Sequence, residues 1–110
     1  MIIKNSTLTP VSGHPRISAV IVNWNSGRYL PDCLRSVLAQ TFPPSDVVVV
    51  DNASTDGSVD AARASVSAEV RWIMNRENGG FSRAANQGIA STVGDWVLLM
   101  NPDVVLGPDY

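Results

Sequence analysis

Apolar residues run along this chain in two rhythms. Short, nearly continuous runs stand at Ile17–Val22, Val47–Val50 and Trp96–Met100, each ending in polar residues. Between them apolar residues recur every three or four positions, as in Leu30, Cys33, Leu34, Val37 and Leu38. Runs rich in β-branched residues suit strands covered on both faces, whereas the three–four spacing marks helices with one apolar side. The pattern predicts strands at about 17–23, 46–50, 69–74 and 96–100, and helices at about 27–40, 56–65 and 81–90. Val59, Ala62 and Val66 form the inward face of the second helix, and Phe81, Ala84, Ala85 and Ile89 that of the third. Ser26 is placed to cap the first helix, Ser54 or Thr55 the second, and Pro31 is tolerated near a helix start.

Four strands alternating with three helices imply right-handed crossovers, a parallel sheet and helices on both of its faces. Residues 1–15 carry breakers such as Pro10, Gly13 and Pro15 without an apolar period, and read as a flexible leader. One domain, residues 16–110, follows. If the strand order is third-second-first-fourth, Asn23 and Asp103 flank one crevice at the carboxyl ends, with Asp51 one strand away.

Composition narrows the function by exclusion. A net charge of −2 with dispersed basic residues gives no footprint for nucleic acid. No apolar run approaches a membrane span, and the start lacks a secretory h-region, so a cytoplasmic location is expected. One cysteine, Cys33, excludes an internal disulfide and a cysteine metal cage. Asn23 to Arg28 contains one glycine, so no dinucleotide fingerprint follows the first strand, and no P-loop occurs. A receiver-type phosphoacceptor domain would want paired acids where Asn23 stands.

The strand ends carry the candidate chemistry. Asp51 can accept hydrogen bonds from a ribose or a base as a rim carboxylate whose loss spares the fold. Equally, Asp51–Ser54 can be a turn capping the next helix. Asp103 can anchor Mg²⁺ or Mn²⁺ when a diphosphate fills the remaining positions, or belong to a plain Asn-Pro-Asp turn. Asn78-Gly79-Gly80 can form an anion nest with Arg83 reaching a phosphate, or simply turn the chain. Trp24, Trp72 and Trp96 read as core or rim packing, Asp56-Gly57 as a helix cap, and His14 has no assigned role.

With these residues stated, the chain resembles the nucleotide-sugar-binding part of a family 2 glycosyltransferase of the GT-A fold, from about Ile17 onward. Five segments occur in the family's order: Val20–Asn25, Leu34–Thr41, Val49–Ser58, Asn78–Gly88 and Leu98–Val104. The resemblance implies an α/β fold, three-layer α/β/α with a mostly parallel sheet, truncated after the fourth strand. It implies a nucleoside-diphosphate sugar donor (dTDP- or UDP-sugar), bound by Asn23, Trp24, Asn25, Asp51, Asn52, Gly80, Arg83 and Asn101. Asp103 would hold the Mg²⁺ or Mn²⁺ that bridges the diphosphate, and a carboxylate base would serve inverting transfer to a glycan or lipid-linked acceptor.

Many relatives carry Asp-x-Asp where this chain has Asn101-Pro102-Asp103. That form resembles the subgroup that includes rhamnosyltransferases, which implies a dTDP-rhamnose donor, cell-surface polysaccharide synthesis and weaker dependence on metal. The family's base and acceptor region lie beyond this motif, so the chain is expected to be a donor-binding fragment, inactive by itself. It is expected to work in the cytoplasm or at the inner face of the membrane. The competing reading is a non-catalytic module that associates through an uncovered edge of the last strand.

Overall fold

The computed structural model describes residues 2–4, 16–66 and 69–108. The elements in order are β1 (Ile2–Lys4), β2 (Ile17–Asn23), α1 (Tyr29–Leu38), β3 (Asp46–Asp51), α2 (Ser58–Ser65), β4 (Arg71–Met74), α3 (Phe81–Ala90) and β5 (Trp96–Met100). They form one sheet in the order β1-β5-β2-β3-β4. The four strands expected from the pattern are parallel, and they lie in the order supposed for the crevice.

β1 departs from expectation. Ile2–Lys4 pairs antiparallel with β5, Ile2 opposite Leu98 and Ile3 opposite Val97, so these residues are not part of a loose leader. Three residues are too few to show a period, yet two isoleucines beside an open strand edge are enough to extend a sheet already in place. The far edge of β5 is therefore covered, which removes the feature on which self-association was expected. The rest of the expected leader, with His14, lies outside the described residues.

Strand alternation builds two cores. Ala19, Ile21, Val47, Val49, Leu98 and Met100 face α1 and α2, where they meet Leu30, Leu34, Val37, Val59 and Ala62. The intervening Val20, Val22, Val48, Val50, Val97 and Leu99 face Ala84 and Ala85 of α3. Each fully buried aliphatic side chain contributes about 1.5–3 kcal/mol relative to exposure, so the valine-rich strands provide most of the driving force. α3 approaches the sheet closely at Gly88, where a Cβ would stand 2.4 Å from Val20 Cγ1. Phe81, expected inward, is 45% exposed at the head of α3.

Of the expected caps, Ser26, Ser54 and Thr55 do not cap a helix with their side chains, whereas Asp56-Gly57 starts α2 as read. Arg28 occupies the N-cap of α1 with no side-chain cap, and Ser26 contributes its carbonyl to Tyr29 N at 3.1 Å. Gly57 occupies the N-cap of α2, and Asp56 Oδ1 accepts from Ser58 N at 3.0 Å. At the amino ends of the strands, Ser18 hydrogen-bonds Asp46, which also pairs with Arg71. Gly94 N donates to the Ser18 hydroxyl at 2.8 Å, tying this edge of the sheet together. Among the described residues no helix is long and apolar enough to cross a membrane.

Candidate functional site

The carboxyl ends of β2, β3 and β5 open into one hollow of about 440 Å³. Adjacent strands are roughly 4.8 Å apart, so the tips of β3 and β5 stand about 10 Å apart across β2. From β2 and the loop after it come Val22, Trp24, Ser26 and Tyr29. β3 delivers Asn52, the turn before α3 delivers Asn78, Gly80 and Phe81, and the segment after β5 delivers Asn101, Pro102 and Asp103. The exposed aromatic groups of Trp24, Tyr29 and Phe81 stand at this rim. Among the described residues Asp103 is the single charged one in the lining, so the hollow combines aromatic and amide surface with one carboxylate.

Of the residues proposed from sequence, Trp24, Asn52, Gly80, Asn101 and Asp103 meet in this hollow. Asn23, Asn25, Asp51 and Arg83 are not in its lining. Asp51 is 1% exposed, so it is a buried group and not a rim carboxylate. Its Oδ2 accepts from Ser54 N at 2.9 Å, and its Oδ1 accepts from the Ser54 hydroxyl at 2.6 Å and Asn23 Nδ2 at 2.8 Å. Those contacts form the turn of the second reading, although the cap of α2 is supplied by Asp56 and Gly57. The next residue, Asn52, reaches the hollow because a strand's side chains alternate and the chain turns there. Its amide donates to the Gly80 carbonyl at 3.2 Å and accepts from Asn75 Nδ2 at 3.0 Å, linking β3 to the turn before α3.

Asn23 is fully buried, with Nδ2 within hydrogen-bond reach of Asp51, Ser58 and Ser54, and Oδ1 accepting from Ser26. Asn25 adopts φ 46° and joins two loops: its N–H donates to Ser54 Oγ at 2.9 Å and its Oδ1 accepts from Thr55 N at 2.8 Å. Arg83 lies over Gly79 in a neighbouring hollow with Arg76, separated from the first by the Asn78–Gly80 turn. The N–H of Gly80 donates to Asn78 Oδ1 at 2.9 Å, so one donor of the expected nest is already used. Tyr29 and Pro102 were missed from sequence. Their positions beside Trp24 and Asp103 at strand ends were the available signal.

Cys33 is buried, its Sγ 3.9 Å from the Asn101 carbonyl. Burial, with the nearby Asp103 carboxylate second, pushes the thiol pKa up to about 12. Among the described residues no three acids, histidines or cysteines cluster as a cage. A lone carboxylate nevertheless fits Mg²⁺ or Mn²⁺ where a bound diphosphate supplies most of the oxygen ligands.

Comparison with known proteins places this geometry. The chain is 32% identical over 92 residues to the glycosyltransferase GlyG of Streptococcus pneumoniae, covering 82% of the chain and 31% of GlyG. It is 30% identical to GlyA of the same organism, across 86% of the chain and 14% of GlyA. It thus spans less than a third of either relative. The mannosyltransferase PcManGT of Pyrobaculum calidifontis, solved with GDP-Man and Mn²⁺, superposes with a TM-score of 0.76 at 26% identity, over 83% of this chain and 28% of that one. Residues 1–349 of TarS from S. aureus, solved with UDP, give a TM-score of 0.72 at 26% identity, over 86% and 29%. The expected GT-A fold is borne out by these likenesses. The model of glycosyl transferase family 2 matches residues 18–110, and the chain belongs to that family.

Proposed function

We propose that this chain is the donor-binding part of an inverting glycosyltransferase, taking a nucleoside-diphosphate sugar into the hollow at the ends of β2, β3 and β5. The observation that carries this reading is the meeting of Trp24, Asn52, Gly80 and Asp103, from separate elements, around one space. Trp24, Tyr29 and Phe81 offer faces for a base or sugar ring, and Asn78 and Asn101 offer amides for ribose and sugar hydroxyls, while Asn52, buried and bonded to Gly80 and Asn75, holds the floor of the hollow. Asp103, the single charged residue of the described lining, would hold a metal ion that neutralises a diphosphate there. When bound, such an ion neutralises the charge that builds on the departing nucleotide. The complexes of PcManGT with Mn²⁺ and GDP-Man and of TarS with UDP support donor and metal alike.

With Asp103 committed to the metal, the described lining holds no second carboxylate. In this reading the acceptor proton goes to a base outside the hollow. The Asn101-Pro102-Asp103 form favours dTDP-rhamnose as donor, and a glycan or lipid-linked acceptor at the cytoplasmic face of the membrane completes the reading. Calorimetric titration with UDP, dTDP and GDP, with and without Mn²⁺, tests it. Saturable binding that strengthens with Mn²⁺ and loses that gain in Asp103→Asn is expected. No binding of any of the three nucleotides overturns the proposal.

A further inference from the structure

We infer that Asp56 is a positioning residue for the donor hollow, acting through a clasp between the β2–α1 and β3–α2 loops; this rests on the donor-site reading above. Asp56 uses its two oxygens on two different segments. Oδ1 accepts from the backbone N–H and hydroxyl of Ser58, at 3.0 and 2.7 Å, and so starts α2. Oδ2 reaches across and accepts from Gly27 N at 2.7 Å. A helix cap needs only the first pair of contacts. The second fixes a residue at φ 57°, in the loop that runs between Trp24 and Tyr29.

The two loops hold each other at further points. Asn25 exchanges bonds with Ser54 and Thr55, as described above, and itself sits at φ 46°. On the opposite loop, Ala53 has φ 63°. Left-handed conformations of non-glycine residues persist where surrounding contacts over-determine them. The clasp supplies those contacts for a segment whose exposed aromatic groups gain no stability from deep packing. Asp56 is thereby coupled to donor affinity without lining the hollow: it keeps the Trp24–Tyr29 wall in the shape that accepts a ring.

Replacing the carboxylate with its amide isostere, Asp56→Asn, separates the two duties. The amide would retain an acceptor for Ser58 but present an NH₂ group to Gly27 N–H, two donors facing each other. A wall that spends less time in the binding conformation lowers apparent affinity in proportion to the lost population, here roughly fivefold to tenfold.

The test compares wild type, Asp56→Asn and Asp60→Asn by titration with UDP and dTDP in Mg²⁺ at pH 7.5, at a temperature where circular dichroism shows all three folded. Asp60→Asn removes a nearby charge on α2 but no clasp bond. Amide exchange at Gly27, read by NMR, reports the clasp independently of ligand. Expected are fivefold or weaker binding and faster Gly27 exchange in Asp56→Asn, with Asp60→Asn like wild type. Wild-type affinity in Asp56→Asn overturns the inference, as does an equal loss in Asp60→Asn, while a wild type that binds neither nucleotide overturns the donor-site reading itself.

Discussion

Removing the Asp51 carboxylate is expected to damage the fold first and binding only as a consequence. Asp51 is 1% exposed and accepts three hydrogen bonds, from Ser54 N, the Ser54 hydroxyl and Asn23 Nδ2. In Asp51→Ala the Ser54 N–H loses its acceptor, and Asn23, itself fully buried, loses one of three partners. A buried polar group left unsatisfied costs about 1–3 kcal/mol, and since Asn23 keeps Ser54 and Ser58 the cost falls on Ser54 N–H, about 1–3 kcal/mol in all. A domain of this kind has roughly 5–15 kcal/mol in total, so the variant keeps a folded population but a visibly weaker one. Urea denaturation followed by circular dichroism gives the change directly, and the slope of the transition checks that two-state behaviour survives. Asp51→Asn, which keeps one acceptor oxygen, should fall between wild type and Asp51→Ala. If Asp51→Ala leaves the urea midpoint unchanged while abolishing nucleotide binding, Asp51 is a ligand contact and the burial argument is wrong.

Further expectations follow from other buried and strained positions. Gly88→Ala places a methyl 2.4 Å from Val20 Cγ1; overpacking of about 1–3 kcal/mol outweighs a helix-propensity gain of about 1 kcal/mol, and a rise in the urea midpoint would contradict this. The Cys33 thiol, buried and raised to about 12, should resist an aromatic disulfide reagent at pH 8 in the native protein and react at once in urea; fast native reaction would refute the packing of α1. Asp56 is held below its ordinary 3.8 by the Ser58 hydroxyl foremost, then by the N–H groups of Ser58 and Gly27. Its contribution is therefore present above pH 3.8 and lost as pH falls through the lower folded value. Acid unfolding of Asp56→Asn should lack that part of the decline, and curves of identical shape would count against it.

Much of the architecture was legible because strands and helices differ in period. Phe81–Ala90 and Trp96–Met100 have the boundaries that the pattern predicts, and the observed order of the four parallel strands is the one supposed for the crevice. β1 was not legible: three residues carry no period, and the pairing that makes them a strand is supplied by β5, more than ninety positions away. The candidate site was legible as a region but not residue by residue. Strand ends could be located, whereas the face on which each side chain emerges after the last paired residue depends on the turn. This is why Asp51 turned inward to Asn23 and Ser54 while Asn52 took the hollow. Arg83 failed for a related reason: spacing placed it one turn into α3, but its side chain lies back over Gly79 toward Arg76.

The central claim is that the ends of β2, β3 and β5 form one donor site, and amide chemical-shift mapping tests it most directly. On addition of UDP or dTDP with Mg²⁺, the largest shifts should fall on Trp24, Asn52, Gly80, Phe81 and Asn101, with the amino-terminal edge around Ser18 and Gly94 unmoved. Shifts confined to that opposite edge, or to the Arg76–Arg83 hollow alone, would contradict it.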